Sequence, residues 1–264
     1  MNLIGSLIYT VLLFLSVLFG AFFVVLFGVF SRDAAWSVPP AWARFNLWAL
    51  RWLCGLHYQV EGAENIPERD AVLFWKHQST WETMAQFGLL PPLACVLKRE
   101  LMWVPVLGWA LSLLRQIPID RGSGGRAVRQ VVREGRKRLD EGMVVVIFPE
   151  GTRMARGATR RYGVSGAALA RESGHPVVPV AHNAGDYWPR RGLRKRRGTV
   201  RVVFGPPIPT PGKSVQEINR EAQRWVESTM ARISDAYPAA GREGDALDTP
   251  EAGGGERSDR ESVA

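Results

Sequence analysis

The chain has 264 residues, enough for one good-sized domain with accessory segments. Its hydrophobic fraction of 46% and charged fraction of 22% are those of a folded protein and exclude a wholly disordered one. The formal charge is +9; because residues 241–264 carry three arginines against seven acidic residues, residues 1–240 hold +13. Such a body attracts anionic lipid, nucleic acid or acidic protein. The two cysteines, Cys54 and Cys95, show neither metal-ligand spacing nor a disulfide framework, which fits a reduced, cytosolic environment.

An apolar segment at residues 3–30 contains no charged side chain and predicts a helical membrane anchor. At about 1.5 Å per residue this helix reaches roughly 42 Å, against a hydrocarbon core of about 30 Å. It therefore either spans the bilayer with tilt or breaks near Gly20 and re-enters the same leaflet. A cleaved signal peptide is not favoured, because the segment lacks a basic start and is too long.

A second helix is predicted at residues 41–56, with Arg44 and Arg51 on one side and apolar side chains over much of the rest. Six of the ten tryptophans fall between residues 36 and 81, and tryptophan beside an apolar segment indicates a membrane interface. We interpret this helix as interfacial. The alternative is a buried helix packed on the domain that follows.

From residue 57 onwards, short apolar runs bounded by turn residues predict strands. The runs lie at 57–62, 71–76, 93–97, 115–119, 143–148, 177–181 and 199–204. Helices are predicted at about 80–90, 124–140, 163–173 and 215–235. This alternation predicts an α/β fold with a mixed, largely parallel sheet flanked by helices. We expect an N-terminal helical anchor with its interfacial helix at 1–56, the α/β domain at 57–237 and a disordered acidic tail at 238–264.

The first candidate site is Lys-His-Gln-Ser-Thr-Trp-Glu, which directly follows the predicted strand at 71–76. His77 is a candidate general base, because imidazole accepts a proton near neutral pH. Five residues along one helix rotate by about 140°, so Glu82 meets His77 only if His77 lies in the turn before the helix. A carboxylate on one ring nitrogen would fix the tautomer. The alternative is a capping box in which Glu82 accepts the backbone N–H of Ser79.

Two further strand ends carry arginines. Phe-Pro-Glu-Gly-Thr-Arg at 148–153 forms a turn that presents Glu150, Thr152 and Arg153. The planar fork of Arg153 suits a phosphate, and the alternative is an ordinary loop with a surface ion pair. Arg121 ends another strand just before Gly-Ser-Gly-Gly, where backbone N–H groups can approach an anion.

The segment from Lys98 to Trp109 is unusually apolar for one flanked by polar residues. Its composition favours ordinary core, and an acyl groove is the alternative.

Together these segments resemble the 1-acyl-sn-glycerol-3-phosphate acyltransferase family over roughly residues 57–210. The resemblance rests on a histidine followed after four residues by an acid, a K-x-x-L-x-x-V-P-x-x-G segment, an F-P-E-G-T-R motif and two shorter strand motifs. These are His77–Glu82, Lys98–Gly108, Phe148–Arg153, Ile117–Arg121 and Val177–Val180. In one departure, Glu82 stands where the family usually has Asp, which lengthens the reach by one methylene and keeps the charge.

The resemblance implies a glycerolipid acyltransferase-like fold, with residues 57–237 as the catalytic domain. It implies transfer of an acyl group from acyl-CoA or acyl carrier protein to the sn-2 hydroxyl of 1-acyl-sn-glycerol 3-phosphate, giving phosphatidic acid. His77 would be the base and Glu82 would orient it. The expected phosphate-binding residues are Arg121, Arg153, Glu150, Gly151 and Thr152. The expected acyl-groove residues are Lys98, Leu101, Val104, Pro105 and Gly108.

The same resemblance implies no metal and no cofactor beyond the thioester substrate. The expected partners are the bilayer, lysophosphatidic acid and the acyl donor, with the chain in the inner membrane and its catalytic domain facing the cytoplasm. Nucleic acid is not expected, because the basic residues are not interleaved with stacking aromatics. Two alternatives remain open: an O-acyltransferase for another lyso-lipid, such as lyso-ornithine lipid, and a membrane-tethered protein that binds an anionic ligand.

Overall fold

The computed structural model describes residues 3–237, which fold around a seven-stranded sheet. The strands are β1 (Leu56–Glu61), β2 (Val72–Trp75), β3 (Leu93–Lys98), β4 (Ile117–Ile119), β5 (Val144–Ile147), β6 (Val177–His182) and β7 (Gly198–Phe204). Their order is β1-β7-β6-β2-β5-β3-β4, and among these pairs β6–β7 alone is antiparallel. The predicted mixed, largely parallel sheet is confirmed. The acidic tail predicted at 238–264 lies outside the described residues.

Nine α-helices are found in the described residues. They are α1 (Leu3–Gly28), α2 (Arg32–Trp36), α3 (Val38–Cys54), α4 (Trp81–Leu89), α5 (Leu107–Leu113), α6 (Gly125–Asp140), α7 (Val164–Ser173), α8 (Ala184–Tyr187) and α9 (Val215–Ile233). The four helices predicted in the α/β domain correspond to α4, α6, α7 and α9. The sequence analysis missed α2, α5 and α8, which are too short to show a helical period.

The sheet is covered on both faces, as its mostly parallel strands require. Alternate side chains such as Leu73 and Trp75 pack with α1, α3 and α4. The side chains between them, such as Phe74 and Val145, pack with α6, α7 and α9. The N-terminal helices and the basic helix α6 therefore lie on opposite faces of the sheet.

The two N-terminal helices pack against each other. Helix α1 continues without a break through Gly20, where a Cβ atom would lie 3.2 Å from Cδ1 of Trp42. Nε1 of Trp42 and Nδ2 of Asn46 both donate to Oγ of Ser16, at 3.0 and 3.1 Å. The absence of a side chain at Gly20 thus lets α3 approach, and interhelical hydrogen bonds hold it there.

Helix α1 is also fastened to the α/β domain near its N-terminus. Nζ of Lys195 donates to the Ser6 carbonyl at 3.2 Å and to the Thr10 hydroxyl. The same ammonium lies 4.7 Å from the ring centroid of Trp188, and the Trp188 ring meets the fully buried ring of Tyr9 edge-on. A desolvated cation over an aromatic ring is a favourable contact. The anchor is thus one body with the domain.

The other face of α1 is apolar and exposed. Within the described residues α1 is the one helix long and apolar enough to cross a membrane. Its exposed side chains include Ile4, Phe14, Phe19 and Phe22, and Trp48 and Trp52 of α3 are exposed beside them. Because so large an apolar patch is rare on a soluble monomer, the chain associates with a membrane. Helix α3 is both a buried and an interfacial helix. Leu47 and Leu50 pack inside the protein, whereas Trp48 and Trp52 are exposed on the other side.

Candidate active site

The parallel register around β2 brings His77, Glu150 and His182 to one edge of the sheet. Trp75 of β2 pairs with Val180 of β6, and Phe74 pairs with Ile147 of β5. The backbone pairing continues past the strand, where Lys76 N donates to the Val180 carbonyl at 2.9 Å. Carried forward, the same register sets position 77 beside positions 182 and 150. The carboxyl edge is where α/β proteins commonly place reactive groups.

His77 and Glu82 form the pair that the sequence predicts. Nδ1 of His77 lies 2.9 Å from Oε1 of Glu82, whose side chain is fully buried. The backbone N–H groups of Gln78 and Ser79 also donate to this carboxylate, at 2.9 Å each. Because a carboxylate only accepts, Nδ1 carries the ring proton and Nε2 is left to accept another.

The structure shows one of the two hydrogen bonds of the predicted capping box. The Glu82 carboxylate accepts the Ser79 N–H, whereas the Ser79 hydroxyl accepts from Trp81 N at 3.1 Å and not from Glu82 N. One carboxylate therefore closes the turn before α4 and orients the imidazole. The N–H groups of Gln78 and Ser79 both donate to Glu82. They are therefore not available to stabilise a negatively charged oxygen of a reaction intermediate.

The charge of Glu82 is secured by its surroundings. Burial alone raises the pKa of the Glu82 carboxyl, but the hydrogen bonds from His77 and the Ser79 N–H outweigh it and hold that pKa below its usual value. Glu82 thus stays ionised near neutral pH. A negative charge at this position would stabilise an imidazolium at His77.

His182 completes the surroundings of Glu82 and was missed in the sequence analysis. Its Nε2 donates to the Lys76 carbonyl at 2.7 Å, its Nδ1 accepts from Ala184 N at 3.2 Å, and Nε2 lies 3.8 Å from Oε2 of Glu82. Burial lowers the pKa of His182, so this ring is neutral and positions the chain around His77. His182 ends an apolar strand, as His77 follows one. That position would have predicted a site residue only if the pairing of these two strands had been known.

A buried ionic cluster lies directly behind His77. Nζ of Lys76 donates to Glu150 at 2.7 Å and to Glu227 of α9 at 2.8 Å. The other oxygen of Glu150 accepts the backbone N–H of His77 at 2.9 Å. Burial alone lowers the pKa of Lys76, but the two carboxylates outweigh it, so the lysine stays charged. Both oxygens of Glu150 are therefore occupied inside the protein, and Glu150 braces the backbone of His77.

The loop after β5 folds over His77. Gly151 adopts φ +70°, which the tight turn requires, and the Phe148 ring stacks on the His77 ring with centroids 4.1 Å apart. Met154 N donates to the His77 carbonyl at 2.7 Å. Arg153, the next residue back, therefore lies beside the histidine.

Arg153 is held by its backbone and has unused donor capacity. Its carbonyl accepts from Nη1 of Arg190 at 2.7 Å, whereas its own Nε is buried and has no partner among the described residues. An unpartnered guanidinium donor suits a phosphate oxygen. Thr152 and Gly151 of the same turn are exposed. The turn thus carries an arginine with a free donor in the loop that contacts the backbone of His77.

Arg121 lies farther along the same edge. Its backbone opens the 3-10 turn Arg121–Ser123 after β4, and its side chain lies outside the described part of the structure. Two strands, β5 and β3, separate β4 from β2, which at about 4.8 Å per strand places the two strand ends roughly 14 Å apart.

Most of the acyl-groove candidates lie at the surface. Lys98, Leu101, Val104 and Pro105 are exposed, and Lys98 pairs with Glu100 at 3.1 Å. Gly108 is buried, and the position requires glycine because a Cβ atom there would lie 2.1 Å from the Met102 carbonyl oxygen. An apolar cavity of about 120 Å³ lies nearby between α1, α3 and α5, and its lining includes Ala21, Val24, Trp42, Phe87, Leu107 and Leu111.

Comparison with known proteins gives the family. The acyltransferase family model matches residues 57–183. The chain is 47% identical to a 1-acyl-sn-glycerol-3-phosphate acyltransferase of Pseudomonas aeruginosa, over 75% of this chain and 78% of that protein. It is 30% identical to the human 1-acyl-sn-glycerol-3-phosphate acyltransferase alpha, over 80% and 76%. The crystal structure of the 1-acyl-sn-glycerophosphate acyltransferase of Thermotoga maritima matches its fold with a TM-score of 0.70 and 24% identity, covering 88% of this chain and 98% of that one. The chain therefore belongs to the 1-acyl-sn-glycerol-3-phosphate acyltransferase family.

Proposed function

We propose that this protein transfers an acyl group from a thioester to the sn-2 hydroxyl of 1-acyl-sn-glycerol 3-phosphate, giving phosphatidic acid for phospholipid synthesis. The observation that carries the proposal is the His77–Glu82 pair at 2.9 Å, which leaves Nε2 of His77 free to accept a proton. Arg153 supplies an unpartnered donor in the loop that is bonded to the His77 carbonyl through Met154 N. A binding protein for an anionic ligand needs the arginine and has no use for an oriented base. The pair therefore favours an enzyme.

The reaction follows from this geometry. Nε2 of His77 accepts the proton of the acceptor hydroxyl as its oxygen attacks the thioester carbonyl carbon. The carbon–sulfur bond then breaks, the imidazolium returns its proton to the leaving sulfur, and an ester and a thiol are the products. Glu82 stabilises the imidazolium between these two transfers.

The thioester supplies the activation, so the scheme needs no metal and no cofactor of the enzyme's own. Both acyl-CoA and acyl carrier protein offer this group. The Arg153 guanidinium binds the acceptor phosphate, and the exposed turn around Gly151 and Thr152 gives the phosphate access. Arg121 is a further phosphate ligand in this proposal.

The membrane supplies the acceptor. A lipid with one acyl chain and a phosphate resides in the bilayer, and the exposed apolar face of α1 keeps the enzyme there. The cavity between α1, α3 and α5 has the apolar lining that an acyl chain needs. We place the protein on the inner membrane with residues 57–237 facing the cytoplasm, where its two cysteines stay reduced.

The direct test is incubation of the purified full-length protein with labelled acyl-CoA or acyl carrier protein thioester and a panel of lyso-lipids. We expect labelled phosphatidic acid from 1-acyl-sn-glycerol 3-phosphate, and none from the His77→Ala variant, which stays folded and membrane-bound. Preferred acylation of lyso-ornithine lipid would show that this lipid, and not 1-acyl-sn-glycerol 3-phosphate, is the acceptor. Undiminished turnover by His77→Ala would show that His77 is not the general base.

Substitution of Glu82 separates its two roles. Glu82→Asp keeps the charge and should stay within about tenfold of the wild-type kcat, whereas Glu82→Gln should lose roughly a hundredfold, because a neutral amide does not stabilise the imidazolium. The measurement is kcat at saturating acceptor, with thermal unfolding as the control. A Gln variant as active as the wild type would leave Glu82 with a capping role alone.

Glu150 is expected to act on kcat. In Glu150→Gln, the amide NH₂ faces either Lys76 or the His77 N–H, both of which are donors. The misplaced base should lower kcat by about ten- to a hundredfold and leave the acceptor KM unchanged. The exposed Glu172→Gln is the matched control. A rise in KM at constant kcat would instead assign Glu150 to the phosphate site.

Arg153 is expected to act on KM. Arg153→Ala should raise the acceptor KM by roughly ten- to a hundredfold, because a charge-assisted hydrogen bond to phosphate is lost. A monoacylglycerol acceptor, which lacks the phosphate, is the control, since wild type and variant should then use it equally. An equal loss with both acceptors would show that Arg153 does not bind the phosphate.

A further inference from the structure

An open groove lies at the C-terminal end of α3, beside the loop before β7. It has a volume of about 860 Å³, and its lining includes Arg51, Trp52, His57, Arg196 and Arg197. A smaller cavity of about 240 Å³ continues it, sharing Arg51 and His57 and adding Arg44. The groove therefore runs from the outer side of α3 to the loop before β7. We call it the arginine groove.

The arginine groove is positively charged without compensation. Arg44, Arg51, Arg196 and Arg197 are exposed, and none of them forms an ion pair within residues 3–237. No acidic side chain contributes to the lining of either cavity. The C-terminus of α3 brings about half a negative charge to the groove, which four full positive charges outweigh. The groove thus favours an anionic ligand.

The arginine groove also has a defined shape. Gly55 ends α3 with φ +65°, and a Cβ atom there would lie 2.9 Å from Cγ of Arg197. Gly198 N donates to the Gly55 carbonyl at 3.1 Å, which joins the loop to the helix end. The stem of Arg197 is therefore packed against the end of α3, and its side chain lines the groove.

The position of the groove points to lipid. Arg196 directly follows Lys195, which holds Ser6 at the N-terminal end of α1. Trp48 and Trp52, at the rim, are 58% and 69% exposed. Exposed tryptophan beside an apolar helix is typical of the headgroup level of a bilayer. The arginines thus lie where lipid phosphates would be.

We propose that the arginine groove binds the phosphate of an anionic phospholipid in the leaflet that holds α1. A soluble acidic protein fits less well, because the exposed tryptophans and the apolar face of α1 next to the groove would be covered by lipid. Neither His77 nor Arg153 contributes to the lining of the arginine groove. It would hold the domain in a fixed orientation on the membrane surface.

The test is calorimetric titration of the full-length protein in non-ionic detergent with short-chain phosphatidylglycerol. All proteins carry Arg153→Ala, so that the proposed substrate site does not contribute. We expect one saturable site that is at least roughly tenfold weaker in Arg51→Gln/Arg197→Gln. Arg129→Gln/Arg136→Gln on α6 removes equal charge from the opposite face of the sheet, and it should bind as tightly as the parent.

Further arms of the experiment identify the ligand. Short-chain phosphatidylcholine and inorganic phosphate should bind the parent protein weakly. Equal weakening in the groove and α6 variants would overturn the site, as would no weakening in either. Phosphate binding as tight as phosphatidylglycerol would overturn the lipid assignment. So would a groove variant that keeps its lipid affinity but raises the KM for a carrier-protein thioester, because the groove would then bind the donor. Each readout holds whether or not Arg153 proves to bind substrate.

Discussion

The active site depends on one buried carboxylate. Glu82 accepts the ring N–H of His77 and the backbone N–H groups of Gln78 and Ser79, all at 2.9 Å. A buried carboxylate without such donors costs several kcal/mol. The donors, and the positive end of α4 in whose first turn Glu82 lies, offset that cost. The base orientation and the helix start are thus one feature, and neither changes without the other.

The second constraint is the buried ion cluster of Lys76, which includes a residue outside the matched family domain. Lys76 precedes the base, and its buried ammonium needs two carboxylates, from Glu150 and Glu227. Glu227 belongs to α9, well past residue 183 where the family match ends. The loop after β5 thus holds the backbone N–H of His77, and α9 holds the side chain of the residue before it. Helix α9 therefore supports the candidate site from outside the matched domain.

The sequence was sufficient for the strands, the longer helices and the His77–Glu82 pair, because these depend on local pattern and on one turn. It was insufficient for Lys76 and His182. Their roles come from the neighbours of β2 in the sheet, and strand order is not written in local periodicity. Glu150 shows the same limit, since a motif places it on a turn, but only the register reveals that one of its oxygens accepts from Lys76 and the other from the backbone N–H of His77.

The fastening of α1 to the domain has a mechanistic reason. The acceptor proposed for this enzyme is held in the bilayer at a fixed height, so the base must be held at a matching height. A flexible tether would leave that match to chance, whereas a docked helix converts the encounter into a fixed geometry. Lys195 and the buried Tyr9 provide this docking at one end of α1, and the packing of Gly20 against Trp42 provides it farther along. The lipid-facing surface and His77 are then parts of a single rigid body, and membrane binding would hold His77 at the height of the proposed acceptor.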